Sequence, residues 1–275
     1  MTMPVELKGV PETLLWTLYH RASEARRGDA VLHDPKAVEV LDAIDFPFEE
    51  RFGSAGEGLS QWQALRALTF DRQVERFLAK HPDGTVVALG EGLETQFWRV
   101  DNGRVHWLSV DLPEAIEVRE RLLPPLDPDR QRLLACSALD RVWMDELDKS
   151  RGVLVTAQGL LMYLQPDDAR KVITTCSRRI PNGAMVFDAV PRWLSERSRA
   201  GKLGAPGGWH PPPWTWWIDA DEKRALLESP HIAELRTLRL ARGRGPLMGY
   251  VMPVLGGISG VRGAFFSILL ARFRP

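Results

Sequence analysis

The run Thr85-Val86-Val87-Ala88-Leu89 ends directly on Gly90-Glu91-Gly92, and this junction limits the fold more than any other feature of the chain. A strand buried on both faces reads as a continuous apolar run, and such strands sit in sheets covered by helices on both sides. Further runs stand at Val105 to Val110, Arg132 to Ser137, Val153 to Ala157 and Ala184 to Phe187, with a late group from Ala233 onward. Pro113 to Leu123, Asp140 to Asp148 and Pro166 to Arg179 lie between them as crossover helices. Asp167 and Asp168 fall in the first turn of the last, where the helix dipole favours negative charge. This alternation predicts a doubly wound α/β architecture with a mostly parallel sheet.

Ahead of the sheet the period is helical. Leu14, Leu15, Leu18 and Ala22 share a face from Pro11 to Ala25, until Gly28-Asp29 breaks the pattern. Asp34-Pro35 suits an N-cap followed by proline at the first helical position, with Ala37, Val38, Val40 and Leu41 as the apolar face before Pro47. A third helix runs from Gln61 to Lys80 through Leu65, Leu68, Val74, Phe77 and Leu78, stopping at His81-Pro82-Asp83-Gly84. The expected organisation is one domain over 1–275, with a helical cap at about 1–80 and a sheet core at about 84–275. Trp209 to Trp217, broken by Pro211 to Pro213, reads as a lid or insertion at about 205–218, its tryptophans fitting either a cover over an aromatic or lipid-like acceptor or an apolar staple on the sheet. The most apolar stretch, 250–270, is interrupted by Pro253, Arg262 and glycines, so it reads as buried loop and strand rather than a lipid-facing helix.

Charge and cysteine content narrow the function classes. Lysine plus arginine equals aspartate plus glutamate, at 36 each, so no overall basic field gathers nucleic acid. Cys136 and Cys176 are too few and too scattered for a disulfide framework, and read as reduced core residues. No secretory leader is visible at Met1, and the expectation is a cytoplasmic protein, monomer or homodimer, without membrane contact. His20, His33, His81, His106, His210 and His231 are dispersed, so no metal site is expected.

The glycine junction carries the chemistry. Glycines after a strand let the backbone turn tightly and approach a ligand lying across the carboxyl end of the sheet. Asp111 closes the next strand about twenty residues on, where a carboxylate accepts two hydrogen bonds from a ribose diol. Nicotinamide enzymes share this geometry, but their fingerprint wants a third glycine where Thr95 stands. Glu91 and Glu94 beside the loop would repel a pyrophosphate and tolerate a sulfonium and an ammonium.

Four ordered blocks extend this reading: Val86 through Thr95, then Ser109-Val110-Asp111-Leu112-Pro113-Glu114, then Ser137-Ala138-Leu139-Asp140, then Gln158-Gly159-Leu160-Leu161-Met162-Tyr163-Leu164. Together they resemble the leucine carboxyl methyltransferase family, and Gly9 to Leu15 with Tyr19 to Glu24 resemble its polyketide O-methyltransferase (tetracenomycin-type) branch. The resemblance runs from about Leu7 to Asp188 and implies a Rossmann-like methyltransferase sheet using S-adenosylmethionine. It makes Arg66 the partner of the cofactor carboxylate, by two parallel guanidinium hydrogen bonds, although pairing with Asp71 or another acid stays open. It places Gly90 and Gly92 about the methionine portion, Gln158 at the cofactor ammonium and Asp111 at the ribose hydroxyls, with Glu91, Leu112 and Gly159 as further cofactor-binding residues. Leu139 and Asp140 would bracket the adenine, unless Asp140 only caps the following helix.

Two departures stand out, since similar sequences often carry Asp at the place of Glu94 and Glu at the place of Gln158. The second removes a carboxylate that would face the cofactor ammonium, which leaves a non-catalytic cofactor-binding protein as an alternative; a Rossmann oxidoreductase is disfavoured by Thr95. The expected acceptor is a carboxylate or phenol oxygen on a small, largely apolar molecule. A carboxylate is already ionised at neutral pH, whereas a phenol profits from a base. Tyr19, Tyr163, His210 and Trp214 are the candidate acceptor-binding residues, His20 a further wall residue, and Trp16 a possible neighbour; no catalytic residue is assigned.

Overall fold

The computed structural model describes residues 2–205, 207–251, 254 and 266–275. A short parallel pair, β1 (Met3–Pro4) and β2 (Ile44–Asp45), ties together a cap of four helices. These are α1 (Thr13–Ala25), α2 (Pro35–Ala43), α3 (Phe48–Phe52) and α4 (Glu57–Leu78). The Asp34 carboxylate caps α2 as expected, accepting from Ala37 N–H at 3.1 Å. The third helix begins four residues earlier than the hydrophobic period signalled, because Gly56 and Gly58 hide its first turn.

The sheet strands are β3 (Thr85–Leu89), β4 (His106–Asp111), β5 (Gln131–Ala135), β6 (Val153–Ala157), β7 (Ala184–Ala189), β8 (Ile232–Thr237) and β9 (Ser267–Phe273), in spatial order β5-β4-β3-β6-β7-β9-β8. The first five run parallel, and β9 enters antiparallel between β7 and β8. The crossovers are α5 (Gln96–Val100), α6 (Pro113–Leu122), α7 (Val142–Asp145) and α8 (Pro166–Arg179); α9 (Arg192–Arg199) and α10 (Ala220–Leu227) follow β7. Strand alternation splits the core. Val87, Leu89 and Val155 pack with Val172, Ile173 and Cys176 of α8 on one face, and Val86, Ala88 and Leu154 with Phe70 and Val74 of α4 on the other.

Three sequence expectations are corrected here. The helix expected over Asp140 to Asp148 shrinks to the four residues of α7, which anchor through buried Trp143 and Met144. In the stretch 250–270, residues 252, 253 and 255–265 lie outside the described residues; Tyr250 and Val254 are exposed rather than buried, and the buried part is β9. Of the four tryptophans expected in a lid or staple, two are core, while Trp214 and Trp217 are half-buried and Trp214 lines a cavity. Trp209 is buried with Phe52 in the helical cap, and Trp216 is buried against Phe187 with its Nε1 donating to Glu222. Backbone bonds from Thr215 and Trp216 to the Met162 carbonyl pin this segment onto the turn that follows β6.

Candidate active site

The turn after β3 sets the site. Gly90 and Gly92 both have positive φ, 61° and 51°, a region that side chains with a Cβ enter only at a cost. A Cβ on Gly90 would also meet Leu160 at 3.0 Å, and one on Gly92 would meet Leu14 at 2.9 Å. The loop is then held from below. Buried Arg119 of α6 donates to the Gly92 and Glu94 carbonyls at 2.7 and 2.8 Å and forms an ion pair with Glu91 at 3.0 Å.

The Glu94 carboxylate meets Arg21 at 3.0 Å and Arg99 at 2.9 Å. Burial opposes its ionisation, but the two guanidinium groups outweigh burial and hold its pKa below the usual carboxylate range. The same arginines bind Asp34, at 3.0 and 2.7 Å, and Arg99 also binds Asp71 at 2.7 Å. Thr95, at the position where a dinucleotide fingerprint wants glycine, donates its buried hydroxyl to Asp34. The sequence argument that Glu91 and Glu94 act as free negative charges is therefore corrected: both are compensated by buried arginines. Arg21, Asp34, Asp71, Arg99 and Arg119 are the structural core of the loop that site reasoning missed, because their partners lie far away in sequence.

A cavity of about 420 Å³ opens beside the loop, within the range of small-molecule sites. Arg66, Gly90, Glu91, Gly92, Gln158 and Gly159 line one end of it. Arg66 does not pair with Asp71. Its Nη1 donates to Asp188 at the end of β7, at 2.9 Å, while its Nε is buried without a partner among the described residues. Gln158 donates its Nε2 to Glu94 at 3.0 Å, and its Oε1 is buried without a partner among the described residues. An ionised carboxylate only accepts, so Glu94 fixes the amide flip and leaves the oxygen for a donor. An open donor on Arg66 and an open acceptor on Gln158 in one cavity fit the carboxylate and ammonium of an α-amino acid.

The other end is apolar and aromatic, with Trp16, Trp62, Met162, Trp193, Trp214 and Phe266 on its wall. Tyr163 lines it too; burial raises its pKa, and the Trp214 and Thr13 side chains stand within its hydrogen-bonding reach. Trp193 and Leu194 come from α9, a helix the sequence reading did not draw.

Other candidates lie elsewhere. Asp111 ends β4 but accepts from the Gly92 and Leu112 N–H groups, at 2.7 and 2.8 Å, and is off the cavity wall. Leu112 is exposed, Leu139 packs on the sheet core, and Asp140 accepts from Ser137 N–H at 3.1 Å instead of capping α7. Asp111 and Leu112 stand at the carboxyl end of β4, and Leu139 and Asp140 follow β5, its neighbour in the sheet. Tyr19 is corrected: its hydroxyl donates to the Gly53 carbonyl and its ring stacks on Phe48, in the cap core. His210 is corrected as well, being exposed with Nδ1 at 2.8 Å from the Leu203 carbonyl. His20 lies off the cavity wall and against Ser60, and desolvation lowers its pKa to about 4, so it is a neutral core group. Trp16 does face the cavity.

A mostly parallel sheet with a glycine loop after its first strand, and a cavity at the carboxyl end of that strand, defines the class of α/β proteins that bind a nucleotide-type cofactor there. The comparisons make the class definite. The leucine carboxyl methyltransferase family model matches residues 15–177, and the chain belongs to that family. It is 34% identical over 252 residues to the tetracenomycin polyketide synthesis O-methyltransferase TcmP of Streptomyces glaucescens, covering 88% of this chain and 92% of that one. It is 28% identical over 202 residues to the S-adenosyl-L-methionine-dependent methyltransferase dpfgK of Gibberella zeae, covering 67% of each. Among solved structures, a DUF574 family protein from Streptomyces avermitilis shares the fold with a TM-score of 0.57 at 14% identity, over 94% of this chain and 97% of that one. The chain is an S-adenosylmethionine-dependent methyltransferase. Among the described residues no helix is long and apolar enough to cross a membrane.

Proposed function

We propose that the chain methylates a carboxylate oxygen of a small, largely apolar aromatic molecule. The observation that carries this is the composition of the acceptor end. Its donors are the Tyr163 hydroxyl and the Trp214 indole, set among aromatic rings and beside the Gln63 amide, while the Thr13 and Thr17 hydroxyls donate to the Val10 and Leu14 carbonyls. The acids on the wall, Glu91 and Glu94, are committed to arginines, and no histidine is among the described lining residues. Donors without a free base suit an acceptor that arrives ionised, as a carboxylate does and a phenol does not. The likeness to a polyketide O-methyltransferase supports oxygen as the acceptor atom.

S-adenosylmethionine supplies a methyl group on a sulfonium, open to in-line displacement by an acceptor oxygen. Arg66 holds the cofactor carboxylate, Gln158 Oε1 accepts from its ammonium, and the Gly90 and Gly92 backbone gives close approach. Asp111 takes the ribose hydroxyls beside Leu112, and Leu139 with Asp140 flanks the adenine. Tyr163 and Trp214 orient the acceptor, and the tryptophans exclude water. We place this activity in the cytoplasm, on one domain, in a monomer or homodimer.

The test uses pure protein, S-adenosylmethionine labelled in the methyl group, and a panel of aromatic carboxylic acids and phenols, followed by mild alkali. Label released as methanol is the expected result and marks an ester. Label retained on an ether overturns the carboxylate reading, and label on nitrogen overturns oxygen methylation.

A further inference from the structure

Asp188 is the fifth of six residues in β7 and is fully buried. One of its oxygens accepts from Gly159 N–H at 2.7 Å and the other from Arg66 Nη1 at 2.9 Å. Burial raises its pKa, with Arg66 and the Gly159 N–H working against that rise. A single carboxylate thus joins α4, the turn after β6 and the end of β7, across separations of 122 and 29 residues. Gly159 has φ 75°, and a Cβ there would stand 3.2 Å from Arg66 Nη1, so the guanidinium rests against a backbone with no side chain.

We propose that Asp188 is the positioning residue for the amino-acid end of the cofactor: it aims Arg66 and fixes the Gly159 turn in one act. This rests on the reading that Arg66 receives the cofactor carboxylate. Arginine has a long side chain with many rotamers, and a pocket that must present two parallel N–H donors needs the rest of the fork anchored. Asp188 takes one Nη, which leaves Nε and the other Nη for a second carboxylate. No other acid pairs with Arg66 among the described residues, since Asp71 is taken by Arg99 and Gln96. A neutral amide cannot replace it. Whichever way an asparagine flips, its NH₂ faces either the Arg66 or the Gly159 donor, and one of the two moves.

The experiment measures binding of S-adenosylhomocysteine and of 5′-methylthioadenosine, which lacks the amino-acid end, to wild type, Arg66→Met and Asp188→Asn. Asp188→Asn is expected to weaken S-adenosylhomocysteine by about tenfold or more, the scale of one charge-assisted hydrogen bond, and to bind methylthioadenosine as wild type does. In turnover, KM for S-adenosylmethionine rises while kcat at saturation is largely kept. If Arg66→Met binds S-adenosylhomocysteine unchanged, the reading of Arg66 falls and Asp188 falls with it. If Arg66→Met loses that ligand selectively while Asp188→Asn binds both ligands normally, or loses both alike, Arg66 stands and the role of Asp188 is overturned. Should Asp188→Asn fail to fold, Asp188→Glu, which keeps the charge and displaces the guanidinium, is measured in the same way with the same selective loss expected.

Discussion

Gln158 and Glu94 looked like two independent departures from the family pattern, and in space they are one. The amide nitrogen of Gln158 is 3.0 Å from a Glu94 oxygen. A glutamate at 158 would set two carboxylates at that distance inside a buried pocket, where both cannot stay ionised. The longer Glu94 thus requires the amide, whereas a shorter acid at 94 would leave room for a charge at 158. Gln158→Glu alone is expected to weaken S-adenosylhomocysteine binding at neutral pH by about tenfold, through like-charge repulsion and a displaced Glu94. Glu94→Asp with Gln158→Glu should recover most of that loss. Titration calorimetry of both variants checks the pair, and tighter binding by Gln158→Glu alone would refute the coupling.

At the scale of elements, what the sequence made legible follows from range. Thr85 to Leu89, the Gly90 turn and the whole of α8 are local patterns, and each stands within a residue or so of where periodicity and punctuation put it. Short elements such as α3, α5 and α9 carry too few turns to show a period. The ion network under the loop was illegible for another reason: Arg21 meets Glu94 across 73 residues and Arg99 meets Asp34 across 65, and no local pattern encodes such pairs. Arg99 joins α2, α4 and the loop through Asp34, Asp71 and Glu94. Arg99→Leu would leave three buried acids with one guanidinium among them. A loss of about 3–5 kcal/mol is expected, as for other broken buried pairs. That corresponds to a fall in Tm of very roughly 10 °C for a chain of this size, readable by circular dichroism.

For the whole molecule, acid is the condition that probes the packing of the helical cap. His20 sits where α1 meets α4, 2% exposed, with a folded pKa of about 4 against an ordinary 6.5. Between those values the unfolded chain takes up a proton that the folded chain refuses, so stability is whole above about pH 6.5 and drains away as pH falls toward 4. The contribution of this one group is about 2–3 kcal/mol over that window. His20→Asn is expected to show a smaller drop in Tm between pH 7 and pH 4.5 than wild type, and equal drops would remove His20 as the cause.

The two ends of the cavity are built from separate sets of bonds. Arg21, Arg99, Arg119 and Asp111, which hold the glycine loop, are not among the residues that line the cavity, whereas Trp16, Trp62, Trp193, Trp214 and Phe266 are. Inheritance can therefore act on them separately. A substitution that reshapes the aromatic wall leaves those arginine and aspartate bonds in place, so a lineage can change its acceptor without surrendering the methyl donor.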